Sequence, residues 1–213
     1  MQSAETSALK ALRSGFLYLS AAMAMLIAVV EFAPVVFTHV SSSVGITVFL
    51  TLLLPSIIAV FLYAVFWMIR PGMRQLSEVD GRFRVCYTGT TLILVGLAVL
   101  ALGTAAVVAL ATVHAESSLA LTVWVLLVGG IIVFMGYVLT FVVGTFKLYE
   151  KYRNPLYVAT VLLLTSGVLS ALTELLWLFP VSTAGLSRIL TAVGYVLTYA
   201  ALDGTIKKLN AQS

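Results

Sequence analysis

Charge is what this chain has least of. Charged residues fill 9% of its 213 positions, against about 25% in an ordinary soluble domain. No stretch of domain size is polar enough to fold in water, which excludes a soluble catalytic or nucleic-acid-binding domain. Cysteine is almost missing too. Cys86 stands alone, so an intrachain disulfide, a CxxC redox pair and a thiolate zinc site are ruled out. It reads as a small buried hydrophobe. The two histidines, His39 and His114, are too few for the four axial ligands of two membrane haems. There is no phosphate loop, nucleophile elbow or HExxH pair, and no Ser–Lys or Asp–Asp pair within an apolar run. The catalytic, cofactor and metal sets are therefore expected to be empty, and the chain reads as non-enzymatic.

Long apolar runs are what it has instead. Hydrophobic residues make up 62% of the chain. Roughly 20 apolar residues cross ~30 Å of hydrocarbon, and six runs reach that length: 15–37, 44–69, 87–113, 119–146, 156–179 and 186–206. The expected fold is all-α, a polytopic membrane bundle of six helices. Residues 1–14 read as a short interfacial helix, with Ser3 or Thr6 as its cap and Leu9, Leu12 and Phe16 along one face. Residues 207–213 form a tail. The first run is too long for a signal-peptide core of 7–15 residues, and Glu31-Phe32-Ala33-Pro34 follows it rather than a small-residue cleavage site.

The basic residues sort to one side. Lys10, Arg13, Arg70, Arg74, Arg82, Arg84, Lys147, Lys151, Arg153, Lys207 and Lys208 all flank the same ends of the spans, and only Arg188 lies opposite. Short loops rich in Lys and Arg stay cytoplasmic. A multi-pass protein of the cell membrane with both termini inside is the expectation. The net charge of +4 then belongs to one membrane face, where anionic headgroups are its partners and nucleic acid is not.

Two patterns concern packing. Gly136-Tyr137-Val138-Leu139-Thr140-Phe141 returns as Gly194-Tyr195-Val196-Leu197-Thr198-Tyr199, and Leu62-Tyr63-Ala64-Val65-Phe66 is a looser echo. All three lie in spans that descend toward the basic side, so the unit reads as an out-and-back hairpin used three times in parallel. Gly89, Gly96 and Gly103 are spaced by seven, as are Gly129 and Gly136. That spacing keeps them on one helix face. Small residues let helix backbones approach closely in lipid, so spans three and four are expected to pack through these glycines.

Polar groups within apolar runs are few. Glu31 and Glu174 fall toward the outer ends of spans one and five, ahead of Pro34 and Pro180. If those spans were neighbours, the two carboxylates could share a proton or a cation. Asp203 has Lys207 four residues on, a local helical pair. His39, His114 and Glu116 sit in outer connections without a ligand spacing. Pro55 in span two and Gly129-Gly130 in span four read as helix interruptions at similar depth, a pattern seen at solute sites. Thr51, Ser56 and Thr122 are the polar groups near that depth. Tyr18, Trp67, Tyr87, Trp124, Tyr149, Tyr152, Tyr157 and Trp177 lie mostly near span ends, where an aromatic belt belongs.

The opening Leu9-Lys10-Ala11-Leu12-Arg13-Ser14-Gly15, the Tyr87-Thr88-Gly89 entry to span three and the Gly-Tyr-Val-Leu segments resemble the uncharacterised multi-spanning membrane proteins grouped as domain of unknown function 973. The resemblance covers nearly the whole chain. It implies an archaeal, thermophilic source and no assigned activity, so no functional residue carries over from it.

The leading expectation is an accessory or structural subunit that packs with other membrane proteins or with itself. A small-solute or ion channel or transporter, using the breaks at Pro55 and Gly129-Gly130, is the alternative. A membrane enzyme with an outer His/Glu site comes third.

Overall fold

The computed structural model describes the backbone of residues 2–39, 54–111, 115–175 and 184–211. Side chains are described for 4–30, 55–109, 121–170 and 185–211. All regular structure among these residues is helical. The elements are α1 (Gln2–His39), α2 (Leu54–Tyr63), a first π-helical run (Ala64–Ile69), α3 (Arg70–Val79), a 3-10 turn (Gly81–Phe83) and α4 (Arg84–Ala111). Then follow α5 (Ala115–Tyr137), a second π-helical run (Val138–Val143), α6 (Gly144–Tyr152), α7 (Leu156–Leu175) and α8 (Ala184–Ala211). They make six spans: α1, α2 to α3, α4, α5 to α6, α7 and α8. Five are long and apolar enough to cross a membrane. The fifth span is apolar over Leu156–Ser170 in the part whose side chains are described.

Each span packs against the next, and the last returns to the first. Spans one and two, three and four, and five and six form hairpins. α3 joins α4, α6 joins α7, and α8 lies along α1. The result is a ring of six helices. Side chains are packed most closely at the Lys/Arg-rich end. Ala8, Leu9, Leu12, Met73, Leu76, Phe83, Leu148, Tyr157 and Leu202 are all fully buried there. None of the described residues 97–109, 121–128 or 185–193 is buried.

The first helix departs from the expected division at Gly15. It runs unbroken from Gln2, and its opening turns bury Ala8, Leu9 and Leu12 against the bundle while Ala4, Ser7 and Lys10 stay exposed. The reason is shape as well as hydrophobicity. Leu12 sits where a Cβ on Gly72 would be, 2.9 Å from the leucine Cγ. Gly15 lets α1 lie against Ile69 in the same way. Polar contacts fasten the same segment. The Tyr152 hydroxyl donates to Glu5 Oε1 at 2.6 Å, and Lys151 Nζ stands 2.9 Å from that oxygen.

Glycines set the distance between α4 and α5. A Cβ on Gly96 would lie 2.7 Å from the Val133 backbone N, and one on Gly136 would lie 2.6 Å from the Ile93 N and 2.7 Å from the Gly89 O. Gly129 faces Leu100 at 2.7 Å, Gly89 faces Thr140 at 2.7 Å, and Gly103 sits against Val125. The helices run antiparallel, so equal spacings of seven bring Gly89 opposite Gly136 and Gly96 opposite Gly129.

Helix ends are closed by local chemistry. Asp80 accepts the Arg82 N–H at 3.1 Å and starts the 3-10 turn. α6 ends on Arg153 in the left-handed region, φ 53°. Its guanidinium lies over the Tyr149 ring. Asn154 then accepts the Leu156 N–H and donates to the Ala201 carbonyl at 3.2 Å. Pro155 follows, where a helix could not continue.

Candidate functional site

One cleft of about 390 Å³ lies within the ring, and every span lines it. Met23 comes from span one, Phe61 from two and Leu100 from three. Gly130, Val133, Phe134 and Tyr137 come from four, Gly167 and Val168 from five, and Ser187, Thr191 and Tyr195 from six. No charged residue is among them. Its hydroxyls gather on spans four and six. Tyr195 donates to the Tyr137 hydroxyl at 3.3 Å, and Thr191 is hydrogen-bonded to Tyr137 as well. Ser187 donates to the Gly167 carbonyl at 2.8 Å.

Aromatic rings close the cleft toward the basic end. Phe141 lies 4.9 Å from Tyr137 and 5.6 Å from Tyr195, ring centre to ring centre. Phe16 stands edge-on to Phe141 at 5.9 Å and 6.0 Å from Tyr195. Phe16, Phe141 and Tyr195 are almost wholly buried. The floor is therefore a four-ring plug made by spans one, four and six.

Gly130 differs from its neighbour. α5 passes through Gly129-Gly130 as continuous α-helix, so these residues do not interrupt span four. Gly129 is needed for the contact with α4. Gly130 has nothing within 4 Å of where its Cβ would be, and it lines the cleft. Among the α-helical glycines whose surroundings are described, it alone has open space there.

Departure from α-helix comes lower down, at the two π runs. Each is six residues long, and each begins immediately after a tyrosine of the repeated motif, Tyr63 or Tyr137. Pro71 accounts for the first. Its ring lacks an N–H and would clash with the carbonyl four residues back, and Arg70 bonds five residues back to the Val65 carbonyl. Pro55 is the second residue of α2, and the residues before Leu54 lie outside the described ones.

The other candidate residues are placed as follows. Glu31 and Glu174 lie on helices, α1 and α7, but their side chains fall outside the described residues, as do those of His39, His114 and Glu116. Among the described residues α1 packs chiefly on spans two and six, and α7 on four and six. No group of three or more His, Cys, Asp or Glu among the described residues is placed to hold a metal. Cys86 is fully buried, with its sulfur 3.6 Å from a Cβ position on Gly144. Asp203 meets Lys207 at 2.8 Å as its spacing indicates, and Arg13 at 2.7 Å as no local spacing could.

A family model described as Protein of unknown function (DUF973) matches residues 5–213. The chain belongs to this family. The match takes in all six spans, the cleft and the aromatic plug, so the DUF973 unit is the whole bundle rather than one hairpin. No curated protein matches the chain. No solved structure matches it either.

Proposed function

We propose that this DUF973 protein is a membrane protein that binds a small uncharged solute in the cleft lined by its six spans and passes it across the bilayer. Gly130 carries the reading. A glycine inside a helix costs about 1 kcal/mol relative to alanine. At Gly129 close packing explains that cost; at Gly130 nothing does except the space it leaves in the cleft. Pockets of this size, mostly apolar with a few convergent hydroxyls, are the usual form of a small-molecule site. The lining has no charge to neutralise an ion, which favours an uncharged, largely apolar solute with one hydrogen-bonding group. The apolar helices support the membrane setting, and the one-sided basic residues support cytoplasmic termini.

An accessory or structural subunit is the alternative reading; Gly89, Gly96, Gly103, Gly129 and Gly136 are occupied between α4 and α5, so a partner would dock on another face of the bundle.

The test uses purified protein in nanodiscs with 4-phenylbutanol and, as its charged analogue, 4-phenylbutyrate. The alcohol should raise the melting temperature of the wild type by roughly 5 °C at saturating concentration. The carboxylate should not. Gly130→Leu fills the cleft, should melt no lower than the wild type, and should lose the response. Equal shifts in both proteins, or no shift with the alcohol, reject the reading.

A further inference from the structure

The chain contains its own comparison for the floor of the cleft. Gly136-Tyr137-Val138-Leu139-Thr140 and Gly194-Tyr195-Val196-Leu197-Thr198 are identical in sequence. They differ in backbone. The second is α-helical throughout, and Thr198 Oγ donates to the Gly194 carbonyl at 2.8 Å. In the first, the backbone turns π-helical after Tyr137, and Thr140 Oγ is buried without a hydrogen-bond partner. One five-residue sequence thus occupies two registers in one molecule. In one the threonine is satisfied; in the other it is not.

Nothing covalent holds the second π run in place. The first is explained by Pro71, but residues 136–147 contain no proline. Thr145, Thr160 and Thr205 all bond the carbonyl four residues back. Thr140 would bond the Gly136 carbonyl in the same way if its turn were α-helical. A buried hydroxyl without a partner carries a desolvation cost that a satisfied one does not. The π register is therefore opposed by its own side chain. What favours it is the plug: Tyr137 precedes the run, Phe141 lies within it, and both pack against Tyr195.

We propose that residues Val138–Val143 are a two-register switch, π-helical with the cleft floor closed and α-helical with it open. Taking one residue out of a π turn rotates the flanking helix by up to about 100°, the angle one residue occupies on an α-helix. Gly129 and Gly136 hold the Tyr137 side of the run against α4, so the turn falls on the other side and draws Phe141 away from Tyr137 and Tyr195. Thr140 then gains the Gly136 carbonyl as the Phe141 ring contacts are lost. This rests on the reading of the cleft as a solute site, because it supplies the movement that opens its inner end.

The experiment needs no solute. Backbone amide exchange of peptides covering 138–145 and 196–203 is followed by mass spectrometry, with thermal melts, for the wild type, Thr140→Val, Thr140→Ser and Thr198→Val. In the wild type the 138–145 amides should exchange roughly tenfold faster than those of 196–203. Thr140→Val removes the orphan hydroxyl without changing shape. It should slow exchange of its segment severalfold and raise the melting temperature by roughly 2–4 °C. Thr140→Ser keeps the hydroxyl and should match the wild type. Thr198→Val should not gain stability. Equal exchange of the two segments, or a Thr140→Val protein that melts at or below the wild-type temperature, overturns the switch. Loss of the phenylbutanol response in Gly130→Leu is scored separately, so either reading can fail while the other stands.

Discussion

Arg13 and Asp203 lie 190 positions apart and meet at 2.7 Å. The contact joins the first span to the last and closes the ring at its basic end. Lys207 holds the other oxygen of the same carboxylate at 2.8 Å. Both partners are partly solvated, so the pair is sensitive to salt. Asp203→Asn should lower the melting temperature in low salt and do so less at high salt. Lys207→Gln should have the smaller effect, because its pair lies within one helix. Melts of both variants at two ionic strengths decide the point; equal losses would deny the ring-closing role.

How much of this was readable beforehand depended on the range of each interaction. The apolar runs were legible because about 20 apolar residues leave few alternatives to a membrane span. The faces carrying Gly89, Gly96 and Gly103 were legible because seven residues make nearly two helical turns. Arg13 was not legible as the partner of Asp203, since no periodicity links residues from opposite ends of a chain. The role of Gly130 was hidden for a similar reason. Gly129-Gly130 looks like one interruption in the sequence, yet only the surroundings separate a contact glycine from an open one. The π runs were out of reach as well. A shift from four to five residues per hydrogen-bonded turn is too small for hydrophobic periodicity to register.

Gly136 and Gly204 should tolerate substitution very differently. A Cβ at Gly136 meets backbone atoms of α4 at 2.6 and 2.7 Å, and backbone cannot swing aside as a side chain can. Gly136→Ala should cost about 1–3 kcal/mol through forced separation of the helices. At Gly204 the nearest atom is Asn154 Nδ2 at 3.8 Å, an ordinary contact. Gly204→Ala should be neutral or stabilising by about 0.5–1 kcal/mol, from helix propensity. Unfolding measured for the two variants side by side checks the contrast, and similar costs would count against close packing as the reason for Gly136.

The N-terminal segment should carry an acid-sensitive fastening. The Glu5 carboxylate accepts the Tyr152 hydroxyl at 2.6 Å and stands 2.9 Å from the Lys151 ammonium, contacts that favour its charged form. A carboxylate depressed by folding stabilises the folded state fully above its unfolded value. That contribution is lost as pH falls through the folded value. Wild-type stability should therefore decline below about pH 4.5 more steeply than that of Glu5→Gln, which lacks the group. Thermal melts from pH 7 to pH 3 read this directly. Parallel curves for the two proteins would show that Glu5 contributes nothing through its charge.

Glu31 and Glu174 should behave independently. A shared proton or ion requires the two carboxylates to approach within a few ångströms, which would raise one of their pKa values. Their helices do not favour that. α1 packs on the second and sixth spans, α7 packs on the fourth and sixth, and α8 runs along both α1 and α7. Changes at sites whose side chains are not in contact add, to within about 0.5 kcal/mol. Glu31→Gln and Glu174→Gln should therefore sum in the double variant when unfolding free energies are compared in one nanodisc composition. A coupling greater than about 1 kcal/mol would require the carboxylates to be in contact. It would also restore a charged site at the outer end of the bundle, one that the uncharged lining of the cleft cannot provide.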